Sequence, residues 1–249
     1  MDTIEDGPLW RKESVSFDAG YGGQRMRAYL FLPKNSSSPF HVVIGFPPGE
    51  AFVQRSSRDL RLHWADFLIR AGRAFLYPVY AGTYERGPSS LDDGSSAARD
   101  EVVAWAKEFG RSIDYLETRA DIDAGRIGFY GISSGADAGI ILTALEPRVK
   151  ATVLMGAGLV NDEVQLPEAH VINFAPRVRM PTLFLSGRND VARPIETVQA
   201  PLFRLLGTPP EHRRHDIIEG GHIPARQQDA TREVLDWFDK YLGPATSHR

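Results

Sequence analysis

Along most of the chain, short apolar runs alternate with longer stretches whose apolar residues recur at helical spacing. Residues 13–19 (ESVSFDA) and 26–33 (MRAYLFLP) predict an early antiparallel strand pair. Residues 41–46 (HVVIGF) predict a short buried strand. Residues 58–72 place Leu60, Trp64, Phe67 and Leu68 at helical spacing, with Gly72 as the stop. A strand over 74–80, a long amphipathic helix over 97–119, a strand over 126–131 and a helix over 135–146 follow. Strands over 150–157 and 182–187, a helix over 195–207, a strand over 213–220 and a helix over 231–243 complete the series. Loops rich in turn residues occupy 34–39 and 87–96.

Apolar strands alternating with amphipathic helices predict the α/β class, with a mostly parallel eight-stranded sheet covered by helices on both faces. A single domain over residues 1–249 is expected, with 244–249 a frayed tail behind Gly243. In such sheets ligands bind beyond the carboxyl ends of the strands, so the turns that follow strands are where chemistry is expected.

Composition narrows the chemistry. The chain has 249 residues, enough for one large core, and no cysteine, which excludes disulfides, thiolate catalysis and cysteine metal sites. A formal net charge of -3 without a long basic run gives no reason to expect nucleic acid or an anionic membrane as partner. No apolar stretch approaches the ~18 residues of a membrane span, and the polar N-terminus lacks the pattern of a secretory signal. A cytoplasmic location is expected.

The turn after residues 126–131 reads Gly131-Ile132-Ser133-Ser134-Gly135, a G-x-S-x-G pattern between a predicted strand and a predicted helix. A serine on such a turn projects its hydroxyl above the sheet, and only small residues fit beside it. The pattern points to Ser133 as a nucleophile and leaves Ser134 its backbone N–H, aimed with the helix N-terminus at the same spot. A serine hydroxyl needs a base, and the base needs an orienting acid. Asp190 follows the strand over 182–187, and His222 follows the strand over 213–220. That gives the order serine, acid, histidine, each at a strand end. Taken singly, Asp190 reads equally as a turn residue and His222 as a loop histidine.

With these pieces in place the chain resembles the α/β-hydrolase superfamily, most closely its dienelactone hydrolase and prolyl-oligopeptidase-like branch. The matching stretches are DIDAGRIGFYGISSGA, PTLFLSGRNDVARPIE and EGGHIP, and the resemblance runs over nearly the whole chain. It implies two oxyanion donors, the N–H of Ser134 and one from the loop GFPPGEAF. Pro47 and Pro48 have no N–H, so Gly49 is the expected second donor, followed by Glu50 or Ala51. Related peptidases use a tyrosine hydroxyl in this region, which makes Tyr80 a further option. Residues 158–181 are too short for the helical cap that many relatives carry, and an open site is expected. Phe46, Glu50, Phe52, Tyr80, Leu159 and Phe174 are candidate pocket residues, each readable also as core or loop. Glu85 and Arg86 are read as a structural pair, and His212 and His215 as surface histidines.

The resulting expectation is a cap-less serine hydrolase that cleaves a small carboxylic ester through an acyl-enzyme on Ser133, with no cofactor and no metal. Amide or peptide cleavage is the enzymatic alternative, and a non-catalytic receptor or scaffold that kept its triad is the alternative of another class. A homodimer is left open.

Overall fold

The computed structural model describes residues 3–91, 96–159, 166–223 and 227–245. The strands are β1 (Thr3–Asp6), β2 (Trp10–Asp18), β3 (Arg25–Pro33), β4 (Phe40–Phe46), β5 (Ala74–Pro78), β6 (Ile122–Ile132), β7 (Val149–Met155), β8 (Thr182–Gly187) and β9 (Arg213–Ile218). They join in one sheet of order β1-β2-β3-β5-β4-β6-β7-β8-β9. The β1–β2, β2–β3 and β3–β5 pairs are antiparallel, and every pair from β5 to β9 is parallel.

The side-chain period of two explains why the central strands read as unbroken apolar runs. In β4, Val42 and Ile44 enter one core with Trp105, Phe109 and Ile113 of α2 (Ser96–Glu117) and Ile140 of α3 (Ser134–Leu145). Val43 enters the opposite core with Leu68 of α1 (Asp66–Arg70) and with Val234 and Phe238 of α5 (Gln227–Leu242). The chain leaves β4 toward α1 on one face and leaves β6 toward α3 on the other. The two connections diverge, opening a crevice at the carboxyl ends of these neighbouring strands.

Among the described residues the sheet has nine strands rather than the eight expected. The additional one, β1, pairs with Arg11–Ser14 at the sheet edge, and its one apolar residue, Ile4, is exposed, so no hydrophobic pattern announces it. The helix expected over 58–72 is α-helical only over α1. Upstream, Ser57–Asp59 makes a single 3-10 turn, because the Ser57 N–H and hydroxyl both donate to the Glu85 carboxylate at 2.8 Å, and Leu60 is extended. The helix expected over 195–207 divides into a π-helical turn, Ile195–Gln199, and α4 (Ala200–Leu205). Pro201 has no N–H to give Thr197, so the ordinary ladder fails at the junction.

Between β7 and β8 the described residues hold three single-turn 3-10 helices, Pro167–Ala169, Val171–Asn173 and Ala175–Arg177. Residues 160–165 of this connection, and 246–249 of the expected tail, lie outside the described residues. Among the described residues no helix is long and apolar enough to cross a membrane.

Candidate active site

Ser133 stands alone between β6 and α3 with φ 56° and ψ −122°, a conformation that costs a non-glycine residue ~1–3 kcal/mol. The neighbourhood over-determines it. Its N–H donates to Met155 O at 2.8 Å, and its carbonyl accepts from the N–H groups of Ala136 (2.8 Å) and Asp137 (3.1 Å). The motif glycines are steric requirements. A Cβ on Gly131 would sit 2.3 Å from Gly135 O, and one on Gly135 would sit 2.3 Å from Phe46 O.

The three residues singled out in the sequence come together. His222 Nε2 lies 2.8 Å from Ser133 Oγ, and His222 Nδ1 lies 2.7 Å from Asp190 Oδ2. Their loops are locked to each other, since Arg188 N–H donates to Ile218 O at 2.7 Å and Asn189 N–H to Gly220 O at 2.8 Å. Gly187 permits this approach, because a Cβ there would fall 1.8 Å from Gly221 O. Asp190 is buried, and its other oxygen, Oδ1, accepts the Arg193 N–H at 2.8 Å.

Behind Asp190 stands a chain of polar groups that hydrophobic patterning did not flag. Gln199, fully buried, donates from Nε2 to Asp190 Oδ2 (3.1 Å) and to Arg193 O (2.6 Å). Its Oε1 accepts from Ser186 Oγ at 2.6 Å. The Ser186 proton is thereby engaged, so the 2.7 Å contact between Ser186 Oγ and His215 Nε2 requires Nε2–H of His215 to donate. His215 is therefore not a surface histidine: it packs against the ring of Phe184, and burial lowers its pKa. Pro201 was the only sequence sign of this arrangement, marking a break in the helix that carries Gln199.

Ser134 is the first residue of α3, so its N–H has no acceptor within the helix. Gly49 opens a 3-10 turn (Gly49–Phe52) directly opposite, where a Cβ would lie 3.4 Å from Ser134 Oγ. Ala51 N–H donates to Pro48 O at 3.1 Å and so is not a free oxyanion donor. Tyr80 is not one either. Its hydroxyl points to Gly45 O at 3.5 Å, and its ring stacks on Phe46 with centroids 4.3 Å apart. Phe46 and Tyr80 are fully buried core residues, which corrects their candidacy as pocket wall.

Phe52, Gly49 and Ser134 line one cavity of about 300 Å³, and Glu50 lines another of about 200 Å³. Leu159 and Phe174 are half-buried against the core and line neither. Glu85 and Arg86 pair with separate partners, Glu85 with Ser57 and Arg27, and Arg86 with Glu108 at 2.5 Å.

Comparison with known proteins agrees with this architecture. Residues 107–180, which include Ser133, match the family described as BAAT / Acyl-CoA thioester hydrolase C terminal. The chain is 26% identical over 242 residues to a Salmonella typhimurium protein named "Putative carboxymethylenebutenolidase", covering 89% of this chain and 85% of that one. Among solved structures, a PEG-bound cold-adapted esterase from an Arctic intertidal metagenomic library superposes with a TM-score of 0.76 at 19% identity, covering 97% and 98% of the two chains. A Klebsiella pneumoniae protein described as a "Putative Dienelactone Hydrolase" gives a TM-score of 0.68 at 20% identity, with coverage of 92% and 99%.

Proposed function

We propose that this chain, an α/β hydrolase of the dienelactone hydrolase-like branch, is a serine esterase that works through an acyl-enzyme on Ser133. The observation that carries the reading is the single imidazole of His222 bridging Ser133 Oγ and Asp190 Oδ2 at hydrogen-bond distance on both sides. In this reading His222 takes the Ser133 proton as Oγ attacks the ester carbonyl, and returns it to the departing alcohol. Asp190 fixes the imidazole tautomer and offsets the charge of the imidazolium. The N–H groups of Ser134 and Gly49 stabilise the tetrahedral oxyanion from fixed positions. Water, activated by the same imidazole, then releases the acid. Ester chemistry is favoured because relatives with full-length similarity carry names of ester and lactone hydrolases.

The test combines covalent labelling by a fluorophosphonate with turnover of 4-nitrophenyl esters, in the native protein and in Ser133→Ala. Labelling at Ser133 and turnover that disappears in the variant are expected. A protein that neither labels nor turns over any ester would overturn the proposal. One that cleaves anilides faster than the matched esters would reassign it as an amidase.

A further inference from the structure

The two cavities beside Ser133 differ in what they touch, and the difference orients a substrate. This inference rests on the hydrolase reading above. Once the carbonyl oxygen faces the Ser134 and Gly49 N–H groups, two substituents remain on the carbonyl carbon. The leaving oxygen must face His222, which protonates it. The acyl chain takes the other direction.

The cavity of about 200 Å³ is reached from the residue that follows His222. That residue, Ile223, lines it together with Ile132, Met155, Trp64, Phe67 and Tyr130. The cavity of about 300 Å³ includes Gly49 and Ser134 themselves and continues between Phe52, Leu91, Val102, Trp105, Ile141 and Val171. Its charged lining residues are already compensated. Arg193 meets Asp137 at 2.6 Å and donates to Gly156 O at 2.8 Å, and Asp137 Oδ1 accepts the Gly158 N–H at 3.0 Å. The Ser89 hydroxyl in the same wall donates to Glu101 at 2.7 Å.

A carboxylate on the acyl chain would find its nearest guanidinium engaged twice, and would desolvate among apolar side chains. A hydrocarbon chain would replace water against Val102, Trp105 and Ile141. The volume, that of about ten waters at ~30 Å³ each, exceeds what an acetyl group fills.

We infer that the substrates are neutral esters of uncharged, apolar acyl groups longer than acetyl, with the acyl chain held against Trp105, Val102 and Ile141 and a compact alcohol held beside Ile223 and Trp64.

The experiment compares kcat/KM for 4-nitrophenyl acetate, butyrate, hexanoate and hemisuccinate. Each well-buried methylene contributes up to about fourfold, so with partial burial hexanoate is expected to exceed acetate by ~10–100-fold. Hemisuccinate is expected to fall below butyrate. Ala138→Phe and, at a half-buried position less demanding for folding, Leu91→Trp intrude on the larger cavity and are expected to reduce the hexanoate-to-acetate ratio to near one. Thr231→Phe, in the other cavity, is expected to keep that ratio while discriminating against bulky alcohols in a series of alkyl hexanoates.

A second readout needs no turnover. Titration of Ser133→Ala with hexanoate is expected to shift the methyl NMR signals of Val102, Ile141 and Val171, and equal concentrations of succinate are expected to leave them in place. Absence of all ester turnover would sink the esterase reading, while the methyl shifts would still decide the pocket. Preference for acetate or hemisuccinate, or an acyl ratio that responds to Thr231→Phe and not to the larger-cavity variants, would overturn the assignment. Methyl signals unmoved by hexanoate would do the same.

Discussion

Replacing Gln199 by methionine keeps the length of the side chain and removes both of its polar ends. In the native protein Gln199 Nε2 donates to Asp190 Oδ2 at 3.1 Å and to Arg193 O at 2.6 Å, while Oε1 accepts from Ser186. The amide cannot be turned round, since its oxygen would then face the carboxylate. A hydrogen bond to a charged group contributes ~1.5–3 kcal/mol, and that loss, together with an unsatisfied Arg193 carbonyl and Ser186 hydroxyl, predicts a clear fall in stability of ~2–4 kcal/mol. Asp190 keeps the Arg193 N–H at 2.8 Å and His222 at 2.7 Å, so it is loosened rather than released. A bond made equally in ground and transition states would leave kcat unchanged, so the effect on turnover comes from the loosened aim of Asp190 at His222, and kcat should fall by ~10–10²-fold, well short of losing the serine itself. KM should change little, because Gln199 lines neither cavity.

Gln199→Glu supplies a readout that a merely structural role would not move. When protonated, the introduced carboxyl group can still donate one hydrogen bond to Asp190; when ionised, it sets two carboxylates side by side. Like charge raises the pH at which the last proton leaves the pair, so the working form exists below that pH and is lost as pH rises through it. The Gln199→Glu variant should therefore gain a descending alkaline limb in kcat that Gln199→Met lacks. Urea unfolding and full pH profiles on folded protein decide it. A methionine variant with native kcat, or a glutamate variant whose profile has the native shape, would refute Gln199 as the residue that positions Asp190.

Ser133→Ala should cost ~10⁴ or more in kcat while the protein stays folded, whereas Ser134→Ala should retain most activity, since only its backbone N–H has a role; the reverse result would reassign the motif. Gly135→Ala puts a Cβ 2.3 Å from Phe46 O and 2.8 Å from Pro47 O, so thermal unfolding should show a loss of ~1–3 kcal/mol, with kcat reduced as the loop bearing Gly49 is pushed away. Gly49→Pro removes the proposed second oxyanion donor and should lower kcat by ~10²–10³ with slower fluorophosphonate labelling; near-native turnover in the folded variant would move that donor to Glu50. Burial lowers the pKa of His215, so below the ordinary histidine range, ~6.5, the unfolded chain takes up a proton that the folded chain refuses. Stability contributed by neutral His215 is thus present at neutral pH and lost as pH falls, and urea midpoints between pH 8 and pH 5 should drop less in His215→Asn than in the native protein.

What the sequence made legible follows from how each feature is encoded. The parallel strands are buried on both faces, so they read as apolar runs. β1 sits at the sheet edge with Ile4 exposed and writes no pattern at all. The serine turn is a demand on the backbone, and such demands appear as glycines. Gly131 and Gly135 have no room for a Cβ, and Gly187 lets the loops of Asp190 and His222 meet. The same cause explains where the reading went astray. Phe46 ends β4 and Tyr80 follows β5, both near Ser133 in the strand order, yet both rings stack together in the core, and sequence alone does not say which aromatic at a strand end faces the crevice.

Gln199, Ser186 and His215 are polar residues made necessary by one buried carboxylate, and they come from three separate stretches of chain. No periodicity records such a set, because its members satisfy one another only after folding. Asp190 is visible as the acid after a strand, but a carboxylate at the buried end of a sheet needs donors from somewhere. Arg193 comes from its own loop, and Gln199 comes from a turn whose hydrogen-bond ladder Pro201 has opened. The helix break, which the reading of 195–207 as one helix passed over, lies next to the residue whose amide meets Asp190. A proline at the second position of a short helix after a strand-end acid can be sought in other chains as the outward sign of a carboxylate held from behind.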